Sequence, residues 1–515
     1  MKKIISLILT IVVFGCTNLD EKVYSNLAPA NYYNSVADAN AGVIAVYNAM
    51  NRSIGLWDFG MSSLSCMASP YALSRVVPWR TEFSTYQVTP SSGVSLPWVW
   101  DAWYKAVFRS NVAIKEIESR TFADAADDKK RVQLLAEAKW LRAYVYFNLV
   151  QLWGDVPMPL EPATDEASAK QPGTPKAKIY EQIIADLLFA EANLPTTRDQ
   201  NDKGRPIVGT AKFLLAKVYL TMAGNPLNDK SKYQLAYTKI KEVIDNAGTY
   251  GYSLTSDYES IFRTKLTSEV IFAIQQSRTV TDQGHTTPFV WGGPNWPAER
   301  GPFGGQYHGG YTKAFYDSFG ATDVRRDVTM AYTYVGADGD TMIYGQPSLD
   351  TNGDGKTSGW WGIGYDVDKV NGIAPNKYWD AKQQCCDGDP DIMIYRYSDA
   401  LLMFAELENE LNGPTSTAFQ YLNMVRARAK ATTYISGSAT KDQFRELIYK
   451  ERYWEFTFEF QEIYDIRRLG KVAEVIAQSE QAQRAKTIYK PAFLLWPIPI
   501  HEINANPNLK QNPGY

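Results

Sequence analysis

The sequence predicts a mainly α-helical protein, a scaffold of helix hairpins that supports an irregular, loop-rich lobe. Three observations carry this prediction. Apolar residues recur three and four apart through two blocks, 36–247 and 391–470, the spacing of one helix face. Between the blocks, across 248–390, that spacing vanishes, and residues 282–380 hold 18 of the chain's 35 glycines with Trp291, Trp296, Trp360, Trp361 and Trp379. Aromatic residues make up 13% of the 515, a content that argues against disorder in so irregular a stretch.

The chain opens with an address. Lys2 and Lys3 precede an apolar run, Ile4 to Phe14, which is too short to span a bilayer and reads as a signal peptide over residues 1–15. It ends in Gly15-Cys16, which resembles a bacterial lipobox; Cys16 is the expected lipidation site, so the mature protein is anchored to a membrane and does not span it. Without Lys2 and Lys3 the chain has 51 basic residues against 56 acidic ones, a net charge of −5. It has no basic tract, so nucleic acid is not an expected partner. Four cysteines exclude a disulfide framework. Pairing of Cys66 with Cys385 or with Cys386 stays open.

The helices follow in order. Val36 to Met50 and Trp98 to Ile117 read as the first two. Between them, Asn51 to Pro97 reads as a loop carrying Trp57 and Trp79. Leu134, Ala138, Leu141, Val145, Leu149 and Leu152 form a stripe stopped by Gly154 and Pro157. Ile179 to Leu194, Ala211 to Met222 and Tyr233 to Ile244 are the next three. In the second block, Tyr397 to Leu411 ends at Gly413-Pro414, Ala418 to Ala429 is its short partner, and Lys441 to Leu469 reads as one long helix ending at Gly470. Short loops between such helices predict antiparallel hairpins stacked as a solenoid. The last residues, 490–515, are rich in Pro and Asn and are expected to lie as an ordered coil on the scaffold.

Tests for chemistry exclude several classes. Three histidines, His285, His308 and His501, form no HExxH pair, and no G-x-S-x-G elbow occurs. The "GKT" at 355–357 has Asp350 where a phosphate loop needs glycine. Asp350, Asn352, Asp354 and Gly355 match the first positions of a calcium loop, but Trp361 stands where the last ligand should be glutamate. A structural calcium on Asp350, Asn352 and Asp354 and a plain hairpin turn are both open readings. Glu451, Glu455 and Glu459 recur on one helix face with Arg452, Arg467 and Arg468 nearby. They read as an ion-pair network and not as the facing carboxylates of a glycosidase. No catalytic residue is assigned, and the chain is not expected to be an enzyme.

The loop tryptophans point to sugars. An indole face stacks on the C–H face of a pyranose while nearby polar groups bind its hydroxyls. The candidate ligand residues are Trp57, Trp79, Arg80, Trp296, Arg300, Tyr307, Trp360 and Trp361. In an extended segment adjacent residues face opposite ways, so one of Trp360 and Trp361 is expected to meet ligand.

Several segments carry a family likeness. "AEAKWLRAYVYFNLVQLWGDVPMPL" (136–160), "IYEQIIADLLFAEANLP" (179–195), "GRPIVGTAKFLLAKVYLTMAG" (204–224), "LNMVRARA" (422–429), "ERYWEFTFEFQEIYDIRRLG" (451–470) and "LLWPIPIHEINANPNLKQNPGY" (494–515) resemble the SusD/RagB family of outer-membrane lipoproteins, in that family's order. The resemblance implies a SusD-like fold with four tetratricopeptide-like helix pairs and an irregular ligand-binding lobe. It implies a non-enzymatic surface lipoprotein that captures oligosaccharides and delivers them to a SusC-like TonB-dependent transporter in the outer membrane. Asp20 and Glu21 resemble the acidic export signal of such lipoproteins. The alternatives are a lid for non-sugar cargo such as peptides, and a surface glycoside hydrolase. Trp140, Trp153, Asp155, Arg467 and Trp496 read as packing or pairing residues of the scaffold.

Overall fold

The computed structural model describes residues 32–51, 56–74, 78–280, 283–293, 296, 308–344, 349, 351–355, 372–383 and 387–515. Its frame is helical. The main helices are α1 (Val36–Asn51), α2 (Ser95–Glu118), α3 (Ala125–Trp153), α4 (Lys176–Asn193), α5 (Val208–Ala223), α6 (Lys232–Asp245), α7 (Tyr397–Asn412), α8 (Ser416–Arg428), α9 (Lys441–Phe456) and α10 (Glu462–Arg468). From α1 to α8 each packs on the next, so four hairpins stack side by side, as the stripes predict. Local chemistry sets the ends. Asp124 caps α3 by accepting from the Ala126 and Asp127 N–H groups, and Gly154 ends it at φ +76°. Thr440 and Gln443 close a capping box at the start of α9.

Short antiparallel strand pairs organise the lobe. β1 (Ala72–Ser74) pairs with β3 (Gly309–Tyr311), β2 (Val270–Ile274) with β8 (Ile392–Arg396), β4 (Met330–Ala331) with β7 (Ala374–Pro375), and β5 (Thr333–Val335) with β6 (Thr341–Ile343). Since β8 runs straight into α7, the lobe is fastened to the scaffold where the second helical block begins. The second block therefore opens on a strand from Ile392 and not on a helix, since pairing with β2 satisfies that backbone. The stretch read as a loop, 51–97, holds a π-helical turn (Leu56–Met61), β1 and a short helix (Pro78–Ser84). Its apolar residues are too irregularly spaced to reveal such short elements.

The predicted helix 441–469 is broken. α9 ends at Phe456, and Phe458 and Phe460 both sit at φ +62°. Such backbone is costly for an aromatic residue. The break buries both rings, Phe460 against Trp57 and Phe458 against Trp291, and the Glu462 carboxylate accepts the Phe458 N–H at 2.8 Å. Tertiary burial thus overrides the helical pattern. At the C-terminus, residues 506–515 are coil held by side-chain amides. Asn512 donates to the Trp153 and Trp496 carbonyls, and Asn506 donates to that of Gln171. One helical turn, Ile500–Ala505, precedes this coil.

The interior is heavily charged. Glu455 meets Arg396 at 2.8 Å, Arg325 at 3.0 Å and Arg428. Glu451 meets Arg325 (2.7 Å) and Arg426, while Glu459 meets Arg396 (2.7 Å) and Lys377 (2.6 Å). Asp323 closes on Arg325, and Glu269 bridges Arg396 and Arg428. Five cations thus face five carboxylates. A second buried set joins Lys217, Arg452 and Arg468 to Asp399, Asp465 and Glu406. The glutamates 451, 455 and 459 do form an ion network, but their partners come from the lobe, β8 and α8 and not from Arg452, Arg467 and Arg468.

Burial alone would raise these carboxyls. Instead Arg428, Arg396 and Arg325 hold Glu455 well below the usual range, and Arg452 with Lys217 or Arg468 lowers Asp399 and Asp465. A depressed folded pKa gives stability that is full above the unfolded value and lost as pH falls through the folded one. The melting temperature should therefore hold between about pH 5 and 7 and fall below about pH 4, where unfolded carboxyls take up protons. A melting series across pH reads this directly. Glu455→Gln takes one carboxylate from Arg325, Arg396 and Arg428 and leaves five buried cations facing four carboxylates, which should cost roughly 3–5 kcal/mol in denaturant unfolding.

Candidate functional site

The π-helical turn Leu56–Met61 splits its aromatics between inside and outside. Trp57 points inward. Its Nε1 donates to the Met50 carbonyl at 2.8 Å, and its ring lies edge-on to Trp103 and Phe460. It is 1% exposed, so it has no face left for a ligand, which corrects its assignment from sequence. Phe59, two residues on, is only partly buried and reaches the surface. Its ring centroid lies 6.0 Å from that of Trp98 and 6.0 Å from that of His308.

Asp58 fixes this turn. Its buried carboxylate accepts from the Thr286 N–H at 2.8 Å and from the Thr286 and Thr287 hydroxyls, and its carbonyl accepts from Trp291 Nε1 at 3.0 Å. The helical turn Thr287–Trp291 is thereby stapled beneath Phe59. The His308 N–H donates to the Val290 carbonyl at 3.1 Å, which places the imidazole at the Phe59 ring and leads the chain into β3. Ser74 pairs with Gly309, so the described ends of two predicted binding loops meet here.

α2 supplies the outer part of the face. Leu96, Val99, Trp100 and Trp103 are buried on one side of it. Trp98, Asp101, Lys105 and Phe108 share the solvent side. Trp98 is 38% exposed. One turn along, Asp101 Oδ1 stands 3.4 Å from His501 Nε2, which is 3.1 Å from Glu502 Oε1. Burial and the Asp101 carboxylate push the Glu502 carboxyl up against the pull of His501. The result is an open aromatic strip, Phe59, Trp98 and His308, next to hydrogen-bonding groups on the same helix face. Such a face can stack on a flat apolar surface and hold hydroxyls.

The remaining predicted residues fall out as follows. Trp296 is 1% exposed and lies edge-on to Tyr334. It is core of the lobe, a second correction. Trp79 and Arg80 belong to the short helix Pro78–Ser84, but their side chains lie outside the described residues. Arg300, Tyr307, Asp350, Trp360, Trp361, Cys16, Cys385 and Cys386 also lie outside them. Cys66 is buried as a free thiol. Asn352 and Asp354 are exposed in a turn with Gly353 and Gly355 at φ +77°. There the Asn352 side chain accepts the Asp354 N–H at 2.9 Å and donates to the Asp338 carbonyl. Sequence reading missed Phe59 and Trp98. For Trp98 the signal was available, a tryptophan on the charged side of an amphipathic helix.

Stacked helix hairpins carrying an irregular lobe are the architecture of SusD-like proteins. Residues 268–515 match the sequence profile of the SusD family, and residues 19–220 match one described as "Starch-binding associating with outer membrane". These matches together span most of the chain, which belongs to the SusD/RagB family. A SusD-like protein of Formosa agariphila is 26% identical over 98% of this chain and 97% of its own length. A SusD homologue from Bacteroides thetaiotaomicron superposes with a TM-score of 0.75 at 23% identity, covering 95% of this chain and 98% of its own. A laminarin-binding SusD-like protein does so at 0.72 with 24% identity, covering 93% and 99%. Likenesses of this degree establish the fold.

Truncating Trp57 or Trp98 should separate core from face. Trp57→Ala should destabilise by roughly 3–5 kcal/mol, while Trp98→Ala should leave the denaturation midpoint close to that of the parent.

Proposed function

We propose that this protein is a surface lipoprotein, anchored through Cys16, that captures oligosaccharides on the Phe59–Trp98–His308 face and passes them to a TonB-dependent transporter. The observation that carries this reading is Trp98, held half out of the scaffold against Phe59 beside His308. A free indole needs a flat apolar partner, and the C–H face of a pyranose is one. Asp101, His501 and Glu502 supply acceptors and donors for its hydroxyls. The family profile described as starch-binding and the laminarin-binding relative of the same fold favour a glycan over other ligands. Capture by stacking needs no catalytic group, in keeping with a protein that carries sugars to a transporter without cleaving them.

Titration calorimetry against a polysaccharide panel that includes laminarin and starch tests the assignment. At least one glycan should bind, and Trp98→Ala should weaken it by roughly 1–3 kcal/mol, as stacking contacts elsewhere do, with the fold intact. Unchanged affinity in that variant would remove the face from the mechanism.

A further inference from the structure

A cavity of about 350 Å³ that shares no lining residue with the aromatic face lies where the C-terminal segment crosses α3 and α4. Its walls are largely apolar and include Val150, Tyr180, Leu494 and Leu495. Arg467 also lines it and is 5% exposed.

This arginine differs from its buried neighbours. Arg142, Lys217, Arg325, Lys377, Arg396, Arg426, Arg452 and Arg468 each meet at least one carboxylate. Among the described residues, Arg467 meets none. Its Nη1 donates to the Gln151 and Leu152 carbonyls at 3.0 and 3.3 Å, and its guanidinium lies over the Trp496 ring at 4.6 Å. Its Nε and Nη2 find no acceptor among the described residues. Burial pulls the guanidinium down to about 10, the mark of a charge kept in apolar surroundings without a counter-charge. The other charges on the cavity cancel. Lys176 stands 3.6 Å from Asp155, and Arg468 is held by Glu406 and Asp465. The cavity therefore carries one net positive charge, and it belongs to Arg467.

We propose that this cavity binds a small monocarboxylate with an apolar body, its carboxylate paired with the Arg467 guanidinium and its body against Leu494, Leu495, Val150 and Tyr180. One carboxylate neutralises the site. It supplies the counter-charge that Arg467 lacks, and a planar guanidinium can pair with both of its oxygens. The apolar wall gives the rest of the molecule a place out of water.

Calorimetry of the intact protein with hexanoate and with 1-hexanol tests this. The two probes share an apolar body and differ in charge. Hexanoate should bind with one-to-one stoichiometry and raise the melting temperature, and hexanol should bind at least about tenfold more weakly, the worth of a charge-assisted hydrogen bond. Arg467→Gln should bring hexanoate down to the level of hexanol. Absence of hexanoate binding, equal binding of both probes, or undiminished hexanoate binding by folded Arg467→Gln would each overturn the proposal. The comparison of probes on the parent protein needs no variant to fold.

Discussion

The buried ion network around Glu455 is the constraint on which the rest of the structure depends. Ten ionised groups lie together out of water, and each costs several kcal/mol to desolvate. They can remain charged only because five cations and five carboxylates meet in one arrangement. Their places in the chain matter more than their energy. Arg325 and Lys377 come from the lobe, Arg396 from the end of β8, Glu269 from the residue before β2, and Arg426 and Arg428 from α8. All converge on α9 and the turn that follows it. An apolar interface could slide to a neighbouring packing at small cost. This one cannot slide without leaving a charge unpaired.

From that joint the rest of the architecture follows. Glu459 lies in the break after α9, so the network fixes the turn that carries Phe458 and Phe460 at positive φ. Their rings fill the space beneath Trp57 and Trp291. Trp57 turned inward sets Phe59 outward, and the Asp58 carboxylate ties that turn to Thr286 and Thr287. A face of three aromatic rings, Phe59, Trp98 and His308, is thus held by a charge lattice deep in the scaffold. Rigidity of this kind suits recognition by stacking, since a ring already in place loses little entropy on binding.

The sequence was informative where physics is local. Helix stripes, caps and stop signals placed α1 to α8 because 3.6-residue periodicity and glycine ends are written residue by residue. The second half of the 441–469 helix was not legible, because nothing local marks Thr457–Gln461 as a break. What breaks it is a set of rings and charges brought in from residues 57, 291, 377 and 396. The candidate face suffered in the same way. Trp57 and Phe59 sit in one short stretch with no regular period, and which of them points outward depends on Asp58 meeting Thr286 across more than two hundred residues. Trp296 looked like a loop residue but closes the core of the lobe. Trp98 looked like the start of a helix and lies in the first turn of one, on the side that faces water.

Membership of the SusD/RagB family fixes the fold and frames the function, while the residues of this chain say where binding should occur. The most direct test is a structure of the protein with a bound oligosaccharide. The account predicts a pyranose ring lying flat on the Trp98 indole beside Phe59, with its hydroxyls toward Asp101 or His501. A sugar seated elsewhere, for instance beside Trp379 where Arg263 covers the indole at 4.1 Å, with Trp98 left bare, would contradict it.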